Sequence, residues 1–140
     1  MAWFWRIFQA PGEEDLSLPA DGSSWHLGRQ VKMLDGHWNT IIQFASSIDQ
    51  EKAEQLDMLA QSRDDSEPAL DIEKVRSLLP FTETVLYGLR QLGSNAIEPG
   101  EDDPDSFEAN VYVDILNAVK SVFEESIRLN EPFQAWLEYT

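Results

Sequence analysis

Few side chains in this 140-residue chain could carry proton or metal chemistry. There are two histidines, His26 and His37, and no cysteine. On a helix, their spacing would put both imidazoles on one face about 16 Å apart, too far to share a metal ion. Asp35 and His37 are two positions apart and would diverge. Paired carboxylates occur at Glu51/Glu54 and Asp102/Asp103, but no Glu-x-x-His pair accompanies them, as a di-metal helical bundle would need. The run EDDPDSFE (101–108) is rich in oxygen ligands, yet it lacks the alternating acids and central glycine of a calcium loop. No glycine-rich phosphate cradle and no Gly-x-Ser-x-Gly elbow is present. With no thiol and few imidazoles, nucleophilic catalysis lacks its usual base. The chain therefore reads as not an enzyme, with no catalytic residue, metal or cofactor expected.

Charge carries more information. Acidic residues outnumber basic ones 26 to 10, for a net charge of −16. Residues 93–140 hold eleven acids and two bases, a balance of −9, against −7 over residues 1–92. Such a surface repels phosphates and anionic lipid and attracts basic proteins. No direct nucleic-acid partner and no membrane partner are expected. The N-terminus, MAWFWRIF, has no basic region ahead of its apolar run and is not read as a secretory signal. No stretch approaches the roughly 20 apolar residues of a bilayer span. The lack of cysteine fits a cytoplasmic location.

The elements that would position these residues read as helices. Residues 1–23 form an irregular N-terminal segment that begins with the aromatic plug. Over 24–64, Val31, Leu34, Trp38, Ile41, Ala45 and Ile48 recur at spacings of three and four, which predicts helix. Near-continuity from 37 to 62 is favoured because no glycine or proline interrupts it, with Ser47 or Asp49 available to cap a second helix. A second segment spans 71–93, with Asp71 as N-cap, a kink or restart at Pro80, and Gly93 as the stop. A third spans 106–129, introduced by a capping box of Asp105 and Glu108. Asn130 and Pro132 then suggest a short helix over 131–138. The fold class expected is all-α: a single-domain bundle of three to five helices (1–140), with the aromatic N-terminal segment packed on it.

Together these features describe a small, acidic, non-catalytic binding protein that caps or inhibits a basic protein partner, a toxin or a nucleic-acid-binding protein. Immunity proteins and antitoxins share this physical profile, although no motif here carries a family resemblance. The candidate electrostatic contacts are Glu98, Glu101, Asp102, Asp103, Asp105 and Glu108. The candidate aromatic anchors, with core residues as their alternative, are Trp3, Trp5, Phe133, Trp136 and Tyr139. Two other readings stand beside this one. The first is a nucleic-acid mimic, disfavoured because only Glu108, Asp114, Glu124 and Glu125 line the helix at 106–129 and Lys120 and Arg128 interrupt them. The second is a self-associating helical module, a homodimer whose aromatic ends pair across a two-fold axis.

Overall fold

From Phe4 onward, the aromatic opening run forms a strand. The computed structural model describes residues 4–11, 30–61, 71–101, 103 and 107–139. Among them are three strands and four helices in the order β1 (Phe4–Gln9), β2 (Gln30–Leu34), α1 (Asp35–Ser46), α2 (Gln50–Leu59), α3 (Ile72–Leu92), α4 (Ala109–Leu129) and β3 (Gln134–Tyr139). The strands form one antiparallel sheet in the order β2-β1-β3. The fold is therefore α+β, and the all-α expectation is overturned.

Each lost strand has a physical reason. In β1 both faces are apolar, so the alternation that marks a half-solvated strand is hidden. Phe4, Arg6 and Phe8 share one face; Trp5, Ile7 and Gln9 share the other. Residues 30–34 do alternate, with Val31 and Met33 buried between partly exposed Gln30, Lys32 and Leu34. The helical spacing of Val31, Leu34 and Trp38 is a coincidence across the strand–helix junction. At the C-terminus, Asn130 adopts a left-handed conformation (φ 51°) that ends α4 instead of starting another helix. Residues 134–139 then pair with β1, from Phe4 opposite Tyr139 to Gln9 opposite Gln134. The short helix expected over 131–138 is a strand, and the two aromatic ends of the chain meet in the sheet.

The helical segments are otherwise close to the expected ones. The near-continuous helix over 37–62 is two helices. Asp49 is extended, and its carboxylate accepts from the Lys52 amide at 3.1 Å to cap α2. Asp71 caps α3 the same way, through the Glu73 amide at 3.0 Å. No restart occurs at Pro80. It lies on the exposed side of α3, where water can reach the carbonyl its ring fails to bond. Helices α3 and α4 form an antiparallel hairpin, with Lys120 paired to Glu83 across it.

Packing converges on Phe8. Its ring is fully buried and lies 5.0 Å from Trp38 of α1, 6.2 Å from Phe123 of α4 and 6.2 Å from Phe133 at the entry to β3. Two residues earlier on the same face, the Arg6 guanidinium donates to Asp35 Oδ1 at 3.0 Å and to the Ala60 carbonyl at 2.8 Å. Thus a charge inside the sheet–helix interface is neutralised and bonded, as burial requires. Truncating the central ring removes packing from three elements at once. Phe8→Ala is expected to cost about 3–5 kcal/mol and Phe8→Leu much less, read from urea denaturation midpoints.

Candidate functional site

The loop joining α3 to α4 carries most of the candidate acids, and α1 determines where it lies. Its ends are held by the bridge between Ala96 and Glu108 and by the Ile97 amide donating to the Phe107 carbonyl. Between them, the loop main chain is fastened to one face of α1. Asn39 donates through its amide to the Glu101 carbonyl at 2.8 Å, and Gln43 donates to the Glu98 carbonyl at 3.3 Å. The Gly100 amide donates to Thr40 Oγ1 at 2.8 Å. The approach leaves no space for a side chain at Gly100. A Cβ there would sit 2.5 Å from the Asn39 carbonyl carbon and 2.6 Å from the Thr40 nitrogen.

Asp103 closes the fastening. Its side chain is fully buried, and Oδ2 accepts from Thr40 Oγ1 at 2.5 Å and from the Tyr112 hydroxyl at 2.8 Å. His37 Nδ1 lies 3.2 Å from Oδ1, and its ring is edge-on to Phe107 and Tyr112. Thr40 has one hydroxyl proton and could also reach the Gly36 carbonyl at 3.1 Å. The shorter contact to a carboxylate is the stronger use of it. Burial pushes the Asp103 carboxyl upward, but the hydrogen bonds from Thr40 and Tyr112 and the nearby His37 outweigh it and hold the group below the usual carboxylate range. Burial, then the hydrogen bond to Asp103, raises the Tyr112 phenol well above its ordinary value.

Aspartate, histidine, threonine and tyrosine come close together here, and their hydrogen bonds hold the loop against α1 and α4. The carboxylate is enclosed by its donors, and the phenol is kept protonated. Sequence spacing could not have found this cluster, because Thr40 and Asp103 are 63 residues apart. The available hint was a lone glycine inside an acidic loop.

The predicted contact residues therefore separate. Glu98, Glu101 and Glu108 are exposed. Asp103 is turned inward and cannot face a partner. Asp102 and Asp105 lie outside the described residues, as do Trp3 and His26. Among the aromatic candidates, Phe133 is 1% exposed and belongs to the core. Trp5 and Trp136 are half-buried on the sheet face away from Phe8. Lys32 Nζ sits 5.2 Å from the Trp5 ring, and the Trp136 indole donates to Glu138 at 3.2 Å. Tyr139 is 66% exposed, with its ring 5.0 Å from Phe4. No three His, Asp or Glu side chains come together as metal ligands among the described residues, and no described helix is long and apolar enough to cross a membrane.

Asp103 has its own pH signature. Its folded pKa lies below that of an ordinary aspartate, so its contribution to stability is present above the ordinary value and is lost as pH falls through the lower folded value. Asp103→Asn is expected to cost about 1–3 kcal/mol near neutral pH, with the gap to the parent closing on acidification, measured by denaturation at a series of pH values. Gly100→Ala should break the fastening from the loop side and speed amide exchange over 97–103.

Comparisons of the chain with family models, with curated proteins and with solved structures find no match.

Proposed function

We propose that this chain is a small acidic binding protein, not an enzyme, that caps or inhibits a basic protein partner in the manner of an immunity protein or antitoxin. The observation that carries this reading is how the α3–α4 loop is fastened. Its main-chain carbonyls and the Gly100 amide are bonded to α1, while the Glu98 and Glu101 side chains are left exposed. Glu108 is exposed at the loop's foot, and among the described residues no base pairs with these three. Acids on a main chain already ordered lose less entropy on binding than acids on a mobile one. The surrounding net charge steers a basic partner toward them.

The bases elsewhere support the same view. Arg6 is bonded inside the fold, while Arg76, Lys120 and Arg128 each pair with an acid of the chain's own helices. With ten bases against 26 acids, positive surface is the minority on this chain. Lys120 and Arg128 also interrupt the acids along α4, so a capping mode suits the chain better than a continuous phosphate-like row. A cytoplasmic setting belongs to this proposal and rests on the lack of cysteine.

The test is affinity capture at low salt, followed by titration of the recovered complex. A basic protein should be retained at one-to-one stoichiometry. Its affinity should fall at least about tenfold between roughly 0.05 and 0.3 M salt, and Glu98→Lys/Glu101→Lys/Glu108→Lys should abolish retention. A complex indifferent to salt and to the triple reversal would remove the steering role assigned to the loop.

A further inference from the structure

We infer that Phe44, Ile48 and the bare stretch of α3 at Gly88 are the apolar half of the partner face: they seat an apolar side chain of a basic segment whose cation is held by Glu98. This rests on the basic partner proposed above and adds the point at which it anchors. Gly88 lies in mid-helix, where glycine costs helix stability. Its missing side chain leaves room for a neighbour. A Cβ there would sit 3.1 Å from Phe44 Cζ and 3.6 Å from Ile48 Cδ1. The end of α1 and the turn that follows it therefore lie close on α3, through the Phe44 ring and the Ile48 methyl. Phe44 is half-buried and packs against the core, whereas Ile48 is 42% exposed. At helical spacing from Gly88, the same strip of α3 carries Thr84 and Gln91, both exposed and uncharged, with half-buried Leu92 one turn on.

Both walls of this patch lead to Glu98. On the α1 side, Gln43, the residue before Phe44, donates through Nε2 to the Glu98 carbonyl at 3.3 Å and to the Pro99 carbonyl at 3.5 Å. On the α3 side, the chain passes from Leu92 to Glu98 in six residues, with the Asn95 amide bonded to the Leu92 carbonyl. The Glu98 and Glu101 side chains are exposed there. The opposite end offers no net attraction, because Glu51 and Lys52 are both exposed at the start of α2. Charge therefore selects and orients the occupant, with a cation toward Glu98 and an apolar side chain toward Ile48. An uncharged or acidic segment would gain nothing from the acids. A segment carrying both groups gains from steering and from apolar burial at once. Gln43 and Ile48 are five residues apart, about 7 Å along the helix axis. That span is close to the spacing of positions i and i+4 on a partner helix.

Two synthetic helical peptides of equal positive charge test this, titrated against the full chain by calorimetry and methyl NMR. One carries leucine four positions from lysine; the other has glutamine in place of that leucine. The leucine peptide is expected to bind about tenfold tighter and to shift the Ile48 δ1-methyl resonance, which the glutamine peptide leaves in place. Ile48→Ser should remove the preference, whereas Met58→Ser, at a side chain 66% exposed on α2, should keep it. Glu98→Lys/Glu101→Lys should weaken both peptides alike. The methyl shift is read on the parent chain, so it stands even if Ile48→Ser lowers the melting temperature. Equal binding of the two peptides, a preference that survives Ile48→Ser, or an Ile48 methyl indifferent to the leucine peptide would each overturn the proposal. Equal binding that is lost on Glu98→Lys/Glu101→Lys would remove the apolar anchor alone and leave the basic-partner reading standing. Binding of neither peptide would overturn the anchor too, and the capture experiment would then decide the basic-partner reading by itself.

Discussion

Burial of the Phe8 ring is the contact on which the rest of the structure depends. It is the place where the sheet, α1, α4 and the entry to β3 share one volume. A three-stranded sheet must cover the side that carries Phe8, and four helices with apolar stripes must cover theirs. Phe8 and its neighbours Val31, Met33 and Ala135 satisfy both demands together. Arg6, on the same face, shows what this constraint requires of a charged group. It is accommodated by one carboxylate and one helix-terminal carbonyl, so the interface contains no unpaired charge there.

The polar cluster at Asp103 does for the α3–α4 loop what Phe8 does for the sheet. Loops carry main-chain donors and acceptors that must be bonded or hydrated. Here α1 supplies the partners through Asn39, Thr40 and Gln43, and Asp103 returns a carboxylate to Thr40 and Tyr112. Consequently an acid counted from sequence as part of the surface is structural, and its neighbours Glu98 and Glu101 become better defined. The same loop both holds itself in place and presents charge: its main chain and the Asp103 side chain are bonded to α1 and Tyr112, while the Glu98 and Glu101 side chains stay exposed.

The surface that results is sharply divided by charge. Acids dominate it, and half of the bases in the described helices, Arg76, Lys120 and Arg128, are drawn into pairs with the chain's own acids. The sheet end at Phe4, Leu137 and Tyr139 is apolar and exposed. Electrostatics act over about 8 Å at physiological salt, whereas apolar contact acts only at touching distance.

The sequence by itself determined what depends on local pattern. The helical stripes of α3 and α4, the caps at Asp49 and Asp71, and the stop at Gly93 follow from residue types a few positions apart. So does the acidic character of the C-terminal third. Tertiary structure alone decided what depends on distant partners. Phe4–Gln9 forms a strand because residues 30–34 and 134–139 offer it hydrogen bonds on both sides, and no local period records partners that far away. Trp136 and Leu137 fit a helical stripe equally well until β1 is set beside them. Whether Asp103 faces solvent or Thr40 is likewise a question about a contact 63 residues away. Periodicity reports which side of an element is apolar. It does not report which element will cover it, and here that covering converted two expected helical or irregular ends into one sheet.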